Sequence, residues 1–150
     1  MFDFVKRLMS CGKKTLKLVV DGKPIVQDRP RFTKKGGRVY QKKKCIDQKA
    51  EIRATAEREM ASQGFARAEK QMPVIFSICF YKELPQSRPK WWRLAAKFGL
   101  IAPIGRNGDI DNLVKLAQDA LNGIVFDDDC QICDVHAYSR YSENPRTEII

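Results

Sequence analysis

The run Val74 to Tyr81 (VIFSICFY) constrains the fold more than any other stretch of the chain. It is nearly continuous in β-branched and aromatic residues, and it has a strand's length rather than a helix's. The pattern therefore predicts a central strand, buried on both faces, at the core of a sheet.

Other elements arrange themselves around that strand. Thr15 to Val20 (TLKLVV) alternates and then runs apolar, predicting a strand that Asp21-Gly22 reverses. Arg31 to Tyr40 places Gly36-Gly37 between two extended pieces, a hairpin with cations on both arms. Good helix formers fill Cys45 to Ser62, and Gly64 stands where that helix should stop. Ser87 can cap a short helix over Trp91 to Phe98, with Pro89 in its first turn and Gly99 at its end. The adjacent Trp91 and Trp92 read as packing residues, with stacking on exposed bases as the alternative. Asp109 to Asn122 has the clearest helical period, with Ile110, Leu113, Val114, Ala117, Ala120 and Leu121 on one side and Asp111, Lys115, Gln118 and Asn122 on the other. Gln131 to Tyr141 and Arg146 to Ile150 read as strands joined by a turn at Asn144-Pro145. The expected order is β, hairpin, α, β, α, α, β, β. That is an α+β (mixed α/β) fold, one mixed sheet flanked by helices, in a single domain over residues 15–150 behind a leader of residues 1–14.

The charge is divided along the chain. A formal +10 attracts polyanions. Arg29 to Lys44 holds eight cations (Arg29, Arg31, Lys34, Lys35, Arg38, Lys42, Lys43, Lys44) and no acid, whereas Asp109 to Asp134 holds seven of the 18 acids and one lysine. A basic grip, for nucleic acid or an anionic membrane, and an acidic site are thus separate in sequence. The five cysteines are odd in number and irregularly spaced, as expected of reduced thiols in the cytoplasm. No apolar run approaches the ~20 residues of a membrane span. Cys130-x-x-Cys133 lacks the further ligands a zinc site needs, so structural cysteines are expected, and His136 is given no catalytic role.

Asp109 and Asp111 stand where the chain enters its best helix, and Asp129 lies just beyond that helix. Three carboxylates are the hard oxygen donors that Mg²⁺ prefers, but they converge only if the chain runs back along the helix after leaving it. Each acid also has an ordinary explanation: Asp109 as an N-cap, Asp111 as a first-turn charge, Asp127 to Asp129 as a solvated turn. Lys115 is either the i+4 ion-pair partner of Asp111 or a cation placed near a scissile phosphate.

The whole string DIDNLVKLAQDALNGIVFDDDCQI, residues 109–132, resembles the signature of the RusA family of Holliday junction resolvases. RPRFTKKGGRVY, residues 29–40, resembles the basic opening of phage and prophage members, and YSENPRTEI, residues 141–149, their final hairpin. The resemblance implies metal-binding roles for Asp109, Asp111 and Asp129, with Asp128 a weaker candidate, and makes Lys115 the essential lysine. It further implies a homodimer that binds four-way junctions and makes paired symmetric nicks, with Mg²⁺ as cofactor and Mn²⁺ as a substitute. Two departures stand out: Gly108 where many members have Pro, and Asp127 as a third acid in the run. The rival readings are a non-catalytic DNA-binding or replication accessory protein and a metal-dependent nuclease for other branched DNA.

Overall fold

The computed structural model describes residues 14–27, 31–32, 39–40, 42–104 and 109–150. Its elements are β1 (Leu18–Asp21), β2 (Arg31–Phe32), β3 (Val39–Tyr40), α1 (Lys43–Gln63), β4 (Val74–Glu83), α2 (Lys90–Lys97), α3 (Ile110–Leu121), β5 (Ile132–Ser142) and β6 (Arg146–Ile149). The order is the one the sequence predicts, and the described helices and the four-stranded mixed sheet form one small α+β domain. β2 and β3 pair antiparallel as the expected hairpin, Arg31 opposite Tyr40. Gly36-Gly37 and residues 1–13 lie outside the described residues.

The sheet order is β1-β6-β4-β5. β4 runs parallel to β5, and α2 and α3 lie in the crossover that parallel neighbours require. On the other side β4 runs antiparallel to β6, which in turn pairs with β1. β4 is therefore interior, as predicted, but it is not buried equally on both faces. Phe76, Ile78 and Phe80 are buried, whereas Ile75, Ser77, Cys79 and Tyr81 are half-exposed. The reason is that α1 and α3 pack on the same face. Leu18, Val20, Phe76, Ile78, Phe80 and Ile149 from the sheet meet Cys45, Ile52 and Ala56 of α1 and Leu113, Leu116 and Ala117 of α3 in one core.

Three local expectations are corrected. Asp21-Gly22 does not fold β1 back on the next segment: Gly22 has φ 104° and bonds to the Pro145 carbonyl (3.0 Å), because β1 pairs with the last strand. β5 and β6 are joined by the expected turn but form no hairpin with each other. They straddle β4, whose apolar stripe takes the interior position with a neighbour on each edge. Ser87 does not cap α2, which begins at Lys90 with Pro89 in the N-cap position and no side-chain cap. Proline already has a helix-compatible φ there and no N–H to leave unpaired.

Candidate active site

α3 buries Leu113, Val114, Leu116, Ala117, Ala120 and Leu121 and leaves Asp111 and Lys115 exposed. Asp109 occupies the N-cap position, yet its carboxylate makes no capping hydrogen bond. Among the described residues the side chains of Asp111 and Lys115 take part in no hydrogen bond or ion pair, so the i+4 pair that spacing allows is not formed. Asp111 does stand in the first turn, where a negative charge favours the helix, but the cap at Asp109 and the ion pair at Lys115 are not made.

A fourth charged group stands at the same end. Strand alternation carries the buried stripe Phe76, Ile78, Phe80 on to Lys82, which emerges half-buried at the end of β4. Burial pushes the Lys82 amine below its ordinary value, and the negative charge of Asp109 opposes that shift. Sequence reading missed Lys82, although the two-residue period of the strand points to it.

The acidic run after α3 is fixed by its own contacts. Gly123 (φ 78°) turns the chain, its N–H bonds to the Phe126 carbonyl (2.8 Å), and Phe126 is buried. Asp127 pairs with Arg67 at 2.8 Å, and Arg67 also donates to the Gly123 carbonyl. Asp128 accepts from the Asp129 N–H (2.8 Å) and forms a capping box with Gln131 over the 3-10 turn Asp129–Gln131. Hydrogen bonding from Cys130, and then from Asp129, holds the Asp128 carboxyl below the usual carboxylate range, and the Cys130 thiol is correspondingly pushed up. Asp127 and Asp128 therefore have structural work, while Asp129 is exposed like Asp128 and has its carboxyl beside it.

The carboxylates do not gather within one chain. α3 has 12 residues, so its ends lie about 18 Å apart. Asp109 and Asp111 sit at its start, and the charge of Asp109 is felt at Lys82. The Asp128 carboxylate reaches Asn122 at the other end, and Ile132, just after Asp129, pairs with Val74 at the far end of the sheet. Among the described residues no three Asp, Glu, His or Cys side chains come close enough to hold a metal ion.

The basic segment is anchored beside the first of these ends. The Gln27 N–H bonds to the Asn112 carbonyl (3.4 Å) before it, and the Cys45 thiol bonds to the Val26 carbonyl (3.6 Å) after it. Lys42, Lys43 and Lys44 are exposed at the start of α1, and Arg31 lies in β2. Arg29, Lys34, Lys35 and Arg38 lie outside the described residues. Cys45, Cys79, Cys130 and Cys133 are free thiols, and His136 faces Asp134 at 3.2 Å.

The family model described as endodeoxyribonuclease RusA matches residues 21–150. The chain belongs to the RusA family. It is also similar to the uncharacterized protein YqaN of Bacillus subtilis (strain 168), 32% identical over 141 residues, which span 90% of this chain and 94% of that protein. The RusA match covers the acidic helix, the acidic run and the basic hairpin together. Membership in this family makes the chain an endodeoxyribonuclease by class. No described helix is long and apolar enough to cross a membrane.

Proposed function

We propose that this protein is a Mg²⁺-dependent, structure-specific endonuclease that resolves four-way DNA junctions by paired symmetric nicks, acting as a cytoplasmic homodimer in recombination and repair. The observation that carries the proposal is the state of the family motif on α3. Asp109 stands at a helix start without capping it, and Asp111 and Lys115 stand exposed without pairing. Exposed charges held in place without hydrogen-bond or ion-pair partners among the described residues are what a site for metal and phosphate needs.

Two carboxylates per helix start fit a hard cation, since Mg²⁺ takes oxygen ligands and keeps several positions for water and phosphate. When bound, the metal supplies a Lewis acid that makes a water nucleophilic near neutral pH and offsets phosphate charge. Asp109 and Asp111 would hold it at the end of β4. The ammonium of Lys115, one turn along the exposed face, would donate to a non-bridging phosphate oxygen and offset the charge gained in the transition state. The Arg29 to Lys44 segment would hold backbone phosphates beside the same end without reading sequence.

Asp129, beyond the far end of a helix about 18 Å long, enters this scheme through the second protomer. A two-fold dimer that sets the acidic run of one copy against the α3 start of the other assembles two identical three-acid sites, matched to the two strands a junction must lose. A labelled synthetic four-way junction incubated with the protein in Mg²⁺ should yield nicked linear duplexes, and none in EDTA. Preferential cutting of flaps or forks would instead identify a nuclease for other branched DNA.

A further inference from the structure

Helix α2 plays no part in the site just described, yet it and Phe98 at its C-cap present a stripe of exposed apolar side chains. Trp91, Leu94 and Phe98, at i, i+3 and i+7, are 69%, 56% and 73% exposed. The neighbouring tryptophan differs completely: Trp92 is held edge-on against Tyr141 (5.4 Å) with the Arg88 guanidinium over its ring (5.2 Å). Along the adjacent face Lys90, Arg93 and Lys97 line a cleft of about 180 Å³ with Leu84 and Glu143. Lys97 is tied to Glu143 at 3.0 Å, whereas the Arg93 Nε is buried without a hydrogen-bond partner among the described residues. That donor requires an acceptor.

The charge around this helix is mostly of one sign: Arg88, Lys90, Arg93 and Lys97 lie on it or just before it, and Glu143 is the acid that faces them in the cleft. A two-fold contact of this face with its own copy would bring like charges together, which disfavours a second protomer as its occupant. A polyanion that also offers flat apolar rings suits both stripes. The position agrees: Tyr141, against which Trp92 rests, pairs across the sheet with Lys82, the residue that senses Asp109.

We propose that α2 is a second nucleic-acid surface, on which Lys90 and Arg93 hold backbone phosphates while Trp91 and Phe98 stack on bases exposed at the branch point. This rests on the junction-cutting function proposed above, and goes beyond it by naming where unpaired bases are held. The test measures binding to a four-way junction and to a linear duplex in Ca²⁺, over a range of salt. Trp91→Ala combined with Phe98→Ala should weaken junction binding roughly tenfold or more with the salt slope unchanged, and should spare the duplex. Trp91→Phe with native Phe98 should keep most of the affinity. Lys90→Gln combined with Arg93→Gln should lower the salt slope by about two. Unchanged junction affinity in the aromatic double variant would overturn the proposal, as would an equal loss on duplex. A change in oligomeric state by sedimentation would overturn it too, by making the stripe a protein contact. Wild-type cleavage in Mg²⁺ separates the two readings: a protein that binds junctions through Trp91 and Phe98 but never cuts would refute the nuclease while keeping the surface.

Discussion

Mixing two inactive variants tests how the acids come together. Asp109→Asn and Asp129→Asn should each abolish junction cutting as homodimers, because every site then lacks one ligand. The ends of α3 are about 18 Å apart, whereas two carboxylates sharing a cation must each lie within about 2.1 Å of it, so one chain cannot supply all three oxygens while the acidic run stays at the end where the chain leaves the helix. In a mixed dimer with one copy of each variant, one site carries both changes and the other carries neither. Random exchange makes about half the dimers mixed, so an equimolar mixture should recover about a quarter of the wild-type sites. The assay is single-turnover cleavage of an end-labelled junction after the variants are unfolded and refolded together. The product should be singly nicked junctions rather than resolved duplexes, because each mixed dimer has one working site. A mixture as inactive as its components would refute the two-chain site, since a site built within one chain always carries one of the two changes.

Further outcomes follow from the same geometry. Lys115→Met should lower the single-turnover rate by roughly 10²-fold while thermal unfolding shows a change of at most about 0.5 kcal/mol, and wild-type cutting by this variant would reduce the lysine to a solvated charge. Lys43→Gln with Lys44→Gln should weaken junction binding and reduce its salt slope by about one for each phosphate no longer neutralised, leaving the saturating rate intact in a filter-binding and cleavage comparison. Phe126→Ala should destabilise the fold by about 3–5 kcal/mol in denaturant titration, since the ring is 1% exposed and anchors the turn that carries the acidic run.

Element order was legible because each segment carries its own period. α3 alternates at 3.6 residues between Leu113, Val114 and Ala117 on one side and Asp111 and Lys115 on the other, and local pattern alone places it. Strand order was not legible, because pairing depends on which edges remain open: β6 reaches the gap between β1 and β4 only once the β5 to β6 turn passes the end of β4. The candidate acids were readable as residues but not as a cluster. The tight turn at Gly123 and the capping box at Asp128 keep the acidic run at the end of the helix where the chain leaves it. Trp91 and Trp92 are indistinguishable in composition, and only the packing against Tyr141 shows which of them is structural.

The most direct measurement compares wild type with Asp111→Asn on one four-way junction, with binding followed in Ca²⁺ and single-turnover cleavage in Mg²⁺. Asp111 makes no hydrogen bond or ion pair among the described residues, so the substitution should leave folding and dimerisation alone. The account predicts that wild type makes symmetric paired nicks, while the variant binds at least as tightly and does not cut. A variant that cuts at the wild-type rate would remove the α3 carboxylates from the chemistry. A wild type that binds but leaves the junction whole in both Mg²⁺ and Mn²⁺ would make the protein a DNA-binding accessory instead.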